Sequence, residues 1–166
     1  MADAPPLPES TDLAAALGRV PSGLFILTVR DGDRATGMLA SWVQQAGFDP
    51  PMLTVAIARG RFVGDWARAA GRFVLNQVPA GNKGLLRHFG KGFDPDEPAF
   101  EGVAVRRDDH PAGPILAEAL GYLVVEAAGE VSGGDHDVLL GRVVEGGLIV
   151  ADAHPMVHVR RTGLHY

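Results

Sequence analysis

Residues 37–51 read GMLASWVQQAGFDPP. The stretch begins as an apolar strand, passes through Ser41, Trp42 and two neutral amides, Gln44 and Gln45, and stops at a double proline. A plain core strand would carry apolar side chains at every inward position. A plain surface loop would carry charge. Here one residue in fifteen is charged, and the polar ones can both donate and accept hydrogen bonds. That combination suits the wall of a site for a flat ligand rimmed with hydrogen-bonding groups.

Outward from this stretch the chain alternates strands with short helices. Before it, SGLFILTV (22–29) reads as a buried strand, Asp31-Gly32 as a hairpin turn, and ATGMLASWV (35–43) as the returning strand. After it come a β-branched run, PPMLTVAIA, and a helix over RFVGDWARAAG closed by Gly71. RFVLNQV is a strand ending at Pro79, NKGLLRHFG a short helix and KGFDPDEPAFEG a loop. Upstream, STDLAAALGRV predicts a helix capped by Ser10 or Thr11 and ended by Gly18. The acidic, Pro-rich residues 1–10 are expected to be a disordered leader to one domain over residues 11–166. In the second half, VAVRR, LGYLVVEAAGEVS, HDVLLGRVVEGG and LIVADA predict four strands, the last two meeting in a hairpin at Gly146-Gly147, followed by an extended tail, PMVHVRRTGLHY. Many antiparallel strands with few, short helices predict a mainly β fold, a closed or partly closed barrel.

The bounds agree. The chain has 166 residues, 46% hydrophobic and 21% charged, the balance of one globular domain. A formal charge of -5 argues against nucleic acid as a partner, because phosphate neutralisation needs clustered Lys and Arg. There is no cysteine, which excludes disulfides, thiol catalysis and Cys-ligated metals. No apolar run approaches the roughly 18 residues a membrane helix needs, and the N-terminus lacks the pattern of a signal peptide, so a cytoplasmic protein is expected. No G-x-G-x-x-G turn, phosphate loop or H-E-x-x-H motif occurs. His154 and His158 would share one strand face, but no third ligand accompanies them, so no metal site is expected.

Three places could carry chemistry. Around residue 41, extended backbone and the side chains of Ser41, Gln44 and Gln45 could meet the carbonyls and ring nitrogens of a flavin, with Trp42 near the ring or in the core. The alternative is a strand end with polar decoration. In AIARGRF (56–62) a strand ends at Arg59-Gly60-Arg61 and a helix begins at once. Free helix N–H groups and two guanidiniums would converge on a phosphate there, with Gly60 allowing close backbone approach. The alternative is two solvated loop arginines. In GGDHDVLLGRV (133–143) two glycines turn the chain, and Asp135 and His136 open a long strand. His136 would sit at a barrel mouth, or be an exposed hairpin residue.

Together these residues resemble the flavin reductase-like family, whose fold is an FMN-binding split β-barrel of Greek-key type with a few short helices. Members resemble TANSFTSVSLDPPLV where this chain has MLASWVQQAGFDPPML. They continue with FVLN, present as Phe73 to Asn76, and carry G-D-H-x-x-x-x-G-x-V, present from Gly134 to Val143. The form LASWVQQAGFDPP is most similar to the flavin reductase-like domain at the C-terminal end of flavodiiron proteins.

The resemblance implies an NAD(P)H:flavin reductase that transfers hydride from nicotinamide to FMN, or to FAD. It assigns Leu39, Ala40, Ser41, Trp42, Val43, Gln44 and Gln45 to the isoalloxazine and ribityl contacts, and Arg59, Gly60 and Arg61 to the phosphate. It puts His136, the catalytic candidate, near the stacked nicotinamide. It further implies a homodimer whose small-molecule partners are flavin and nicotinamide. Where many members have Ser-Val-Ser, this chain has Gln45, Ala46 and Gly47, so its phosphate contacts fall to the arginines. Two other readings share these residues: a flavin-binding electron-transfer module without NAD(P)H activity, and a non-flavin split barrel that binds haem or a protein.

Overall fold

The computed structural model describes residues 12–165. The expected leader and the Ser10 or Thr11 cap lie outside them. Helix α1 spans Asp12–Gly18. The predicted strand at 22–29 divides in two: β1 (Ser22–Gly23) and β2 (Phe25–Asp31). Leu24 is the break, bonded through its N–H to the Met156 carbonyl and through its own carbonyl to the Val78 N–H. The hairpin to β3 (Arg34–Ala40) turns on Gly32 and Asp33, with Gly32 at φ 58°, the left-handed backbone that hairpin turns of two residues require.

The opening stretch does not end in a wall of amides. Ser41 and Trp42 break the chain, and Val43–Phe48 forms a further strand, β4, paired with β5 (Pro51–Ala58). Its pairing shifts register between Gln45 and Gly47, a bulge of the kind that blunts an exposed sheet edge. Helix α2 (Phe62–Ala70) ends at Gly71, φ 68°, whose N–H bonds the Ala67 and Arg68 carbonyls. Then follow β6 (Arg72–Gln77) and α3 (Lys83–Gly90), which Asn82 caps by accepting from the Leu85 N–H. The short pair β7 (Val105–Arg107) and β8 (Ile115–Leu116) stands apart as its own ribbon. The long hairpin β9 (Gly121–Gly133) and β10 (His136–Leu148) turns at Gly134, φ 60°. The last strand, β11 (Val157–His158), pairs with β1.

The hairpin predicted at Gly146-Gly147 is corrected. Both glycines lie inside β10, paired with Leu123 and Tyr122, and LIVADA is not a strand beyond Leu148. Neither has positive φ. Their smallness serves packing instead: a Cβ on Gly146 would come within 2.9 Å of the Tyr122 carbonyl. His154 likewise precedes β11, so it shares no strand face with His158.

The main sheet runs β3-β2-β6-β9-β10-β5-β4. Its outermost strands, β3 and β4, are consecutive in the chain. Six strand spacings would separate them by about 29 Å in a flat sheet. The three residue steps from Ala40 to Val43 can span only about 11 Å. The sheet must therefore curl until its edges meet at Ser41-Trp42, and because β3 and β4 do not pair, the barrel stays split. Its interior holds Leu27, Val29, Leu53, Val55, Ile57, Phe73, Leu75, Val125 and Leu139, with Val63 and Ala67 of α2. The alternate residue of β2, Ile26, faces the other way, into a second cluster with Leu85 and Phe89 of α3. β2 is thus buried on both faces, which explains its unbroken apolar run.

Candidate functional site

The strand β5 has the same alternation. Leu53, Val55 and Ile57 fill the barrel, so Ala56 and Ala58 face outward. Small side chains on that face leave room against the end of β3, and α3 closes the far side. The result is a cavity of about 360 Å³ lined by Met38, Leu39, Ala40, Ser41, Ala56, Ala58, Arg61, Leu86, Phe89, Gly90, Gly92, His136 and His158, with Leu24 at its edge. Its walls are mostly apolar with a few polar groups, the character of a small-molecule site.

Of the residues singled out in the sequence, Leu39, Ala40, Ser41, Arg61 and His136 come together on this lining. Gln44 and Gln45 do not. They are exposed on the edge strand β4, where Gln45 Nε2 donates to the Gly47 carbonyl at 3.2 Å. Val43 packs against the barrel core. Trp42 is half-buried at the corner, its ring centroid 4.7 Å from that of His136 and tilted by 49°.

The two arginines part company. Arg59 Nε donates to Asp137 Oδ1 at 3.1 Å, so its guanidinium is drawn to β10 and away from the cavity. Of the two guanidiniums expected to converge, only that of Arg61 belongs to a residue of the cavity lining. Asp137 also accepts from Ser132 Oγ at 2.8 Å and from Arg68 Nη2 at 2.8 Å. The Ser132 hydroxyl, then Arg59, hold its carboxyl below the usual carboxylate range. Arg61, which lines the cavity, has no side-chain hydrogen bond or ion pair among the described residues, and it precedes the first turn of α2. Gly60 has φ 79° and open space where a side chain would start, so it serves the tight turn between β5 and α2.

His136 opens β10, opposite Ala58 of β5. Its Nδ1 meets Asp135 Oδ1 at 2.7 Å, and that contact lowers the Asp135 pKa. Its side chain is 13% exposed. The turn thus fixes the imidazole by its own neighbour and leaves the ring edge on the cavity.

Sequence reasoning missed Ala56, Ala58, the α3 residues Leu86 and Phe89, and Gly90 and Gly92. The alanines had a readable signal, since small residues alternate with Val55 and Ile57. The others had none, because only the packing of α3 on β3 brings them here. A Cβ on Gly92, φ 74°, would lie 3.2 Å from Arg61 Nη1, so glycine lets the guanidinium rest against the loop.

Comparison with known proteins identifies the family and the fold. The flavin reductase like domain matches residues 17–163. The chain is 39% identical over 157 residues to diflavin flavoprotein A 1 of Synechocystis sp., a match covering 94% of this chain and 27% of that protein. The chain thus spans about a quarter of the length of such relatives. Among solved structures, an NADH:FAD oxidoreductase of Streptomyces globisporus superposes with a TM-score of 0.79 at 23% identity, over 87% of this chain and 85% of the other. An FMN-binding protein of Thermus thermophilus does so with 0.72 at 26% identity, over 91% and 80%.

Proposed function

This chain belongs to the family of flavin reductase like domains, and we propose that it binds FMN in the cavity beside β5 and reduces it with NAD(P)H. The observation that carries this reading is the cavity itself, which sets the small Ala56 and Ala58 across from α3 and has on its lining one guanidinium, Arg61, with no side-chain partner among the described residues. A flat ring needs such an apolar slot, and a phosphate needs a charge-assisted partner. The residues present fit both. Ala56, Ala58, Leu39 and Ala40 would flank the ring, Ser41 would meet its polar edge, and Arg61 with the free N–H groups at the start of α2 would hold the phosphate.

Bound flavin supplies a two-electron acceptor, the chemistry the side chains lack. The protein's part is to place a nicotinamide against it. His136 is held by Asp135 on one side and by the Trp42 ring on the other, so it presents a fixed polar edge where the nicotinamide amide would dock. A homodimer is part of this reading, with Val144, Leu148 and Val150 exposed near one end of the long hairpin. One domain over residues 11–166, working in the cytoplasm where reduced nicotinamides are kept, completes the reading.

A second reading has its own observation. Because relatives extend well beyond this chain, the domain would serve as an FMN-binding electron-transfer module within a longer protein. The visible spectrum of the purified protein, followed by NADH or NADPH addition under anaerobic conditions, separates them. Bleaching of bound flavin by nicotinamide supports the reductase. A flavin that stays oxidised supports the module, and a protein that takes up no flavin overturns both.

A further inference from the structure

His136 and Asp137 are consecutive on β10, so their side chains leave the sheet on opposite faces. His136 lines the cavity, opposite Ala58. Asp137 stands opposite Ile57, whose side chain belongs to the barrel interior with Val63 and Ala67 of α2. Its carboxyl therefore faces the helix, and there it meets Arg68. Arg68 Nη2 donates to Asp137 Oδ2 at 2.8 Å. Nε and Nη2 form a fork on Glu130 of β9, at 2.7 and 3.2 Å, and Nη1 donates to Asp65 Oδ1 at 3.0 Å. One guanidinium thus joins α2 to both strands of the hairpin tip.

The helix makes room for this crossing. A Cβ on Gly64, one turn before Arg68, would lie 3.1 Å from Arg68 Nη1 and 3.3 Å from Ile57 Cγ2. A planar guanidinium with five donors can hold three carboxylates in one fixed geometry, which a single ammonium on a flexible stem does not. The tip depends on such an anchor. β6 flanks β9 only as far as Glu126, and among the described residues Gly129 to Gly133 have β10 as their one strand partner. Glu130 and Ser132 are two apart and share a face, and the Ser132 hydroxyl donates to Asp137 Oδ1 at 2.8 Å. The free arm of the hairpin is thereby tied to the same carboxylate and the same guanidinium.

We propose that Arg68 is a positioning residue for the nicotinamide reaction: its clamp on Glu130 and Asp137 fixes the hairpin tip against α2, and so sets where the imidazole of His136, one peptide away, stands at the cavity mouth. The inference rests on the reductase reading above. It adds to that reading a residue outside the cavity lining, which acts on the reaction only through His136.

Two readouts test it. The first needs no cofactor. The Trp42 ring, 4.7 Å away, shifts the ring signals of His136, which NMR of the full chain follows. In Arg68→Gln these signals should move, while those of His158, on the cavity lining but carried by β11, should stay in place. The second is stopped-flow reduction of pre-bound FMN at limiting NADH or NADPH. Arg68→Gln should slow it by about fivefold in the wild-type background, and by less than about twofold in a His136→Ala background, because the effect passes through that imidazole. FMN affinity, read by absorbance titration, should be unchanged. Should Arg68→Gln not fold, Arg68→Lys, which keeps the charge and loses the fork, carries the same expectations with a smaller slowing. Unmoved His136 signals in a folded variant would overturn the inference, and so would equal slowing in the two backgrounds. Bound FMN that both nicotinamides leave oxidised in the wild type would count against the reductase reading, and the ring signals would then decide alone whether Arg68 places His136.

Discussion

The rings of Trp42 and His136 lie 4.7 Å apart, tilted by 49°. Trp42 stands at the corner where the barrel's two edges meet, and His136 opens the strand after the Gly134 turn. The contact therefore ties the barrel's split to the tip of its longest hairpin at the cavity mouth. A nicotinamide must stack at about 3–3.5 Å for hydride transfer, so a small displacement there is costly. His136→Ala should leave FMN affinity within a few fold of wild type while slowing flavin reduction at limiting NAD(P)H by about tenfold. Stopped-flow reduction of pre-bound flavin measures both. Loss of flavin with normal reduction of the remainder would make His136 a flavin ligand instead.

Arg61 and Arg59 should behave differently despite their neighbouring positions. Arg61→Ala should weaken FMN by roughly tenfold and leave riboflavin unaffected, the loss of one charge-assisted phosphate contact. Arg59→Ala should change neither affinity, because its guanidinium is committed to Asp137. Flavin fluorescence titrations with the two ligands check this. Equal losses for FMN and riboflavin in Arg61→Ala would remove the phosphate assignment.

Asp137 should contribute acid-sensitive stability. Its folded pKa is depressed, first by the Ser132 hydroxyl and then by Arg59. A depressed carboxylate stabilises the fold above its unfolded value, about 3.9, and that contribution disappears as pH falls through the folded value. Asp137→Asn should therefore melt a few degrees below wild type at pH 7. The two melting curves should draw together as the pH drops below about 4. A gap that persists undiminished at low pH would mean the substitution acts through something other than charge.

Gly141 tests the packing of the long hairpin. It is buried in β10, without positive φ, and a Cβ there would fall 2.2 Å from Val125 Cγ1, a side chain with no exposure. Gly141→Ala should cost about 1–3 kcal/mol by overpacking. Urea denaturation measures it, and Gly141→Ala should cost less in a Val125→Ala background than in the wild type.

A homodimer is expected, with Val144 43%, Leu148 67% and Val150 45% exposed near one end of the long hairpin. Light scattering at micromolar concentration should give a dimer. Leu148→Asp should shift it toward monomer without changing the far-ultraviolet circular dichroism. A monodisperse flavin-bound monomer of the wild type would refute it.

Local chemistry made much of the fold legible from residues alone. Gly32, Gly71 and Gly134 need positive φ, and each ended or turned an element where the sequence predicted. Period-two alternation and apolar runs located β2, β5, β6, β9 and most of β10. G-D-H with its spacing put His136 at the start of a strand. Such signals survive because a turn or a strand face depends on neighbours a few residues away.

What needed the tertiary structure was every decision that depends on distant partners. Gln44 and Gln45 looked like ligand contacts, yet β4 became the outer edge of the sheet, with both amides exposed and outside the cavity lining. Arg59 and Arg61 are equivalent in the sequence, but only Arg59 has Asp137 of β10 within reach. Gly146-Gly147 has turn composition, yet its place against Tyr122 and Leu123 keeps it in the strand. The cavity likewise exists only because the curled sheet sets Ala56 and Ala58 beside the end of β3, with α3 across from them. A sequence encodes each residue's preferences within its own turn or strand. Which of several allowed partners it meets is set by closing the barrel, a constraint that belongs to the whole chain at once.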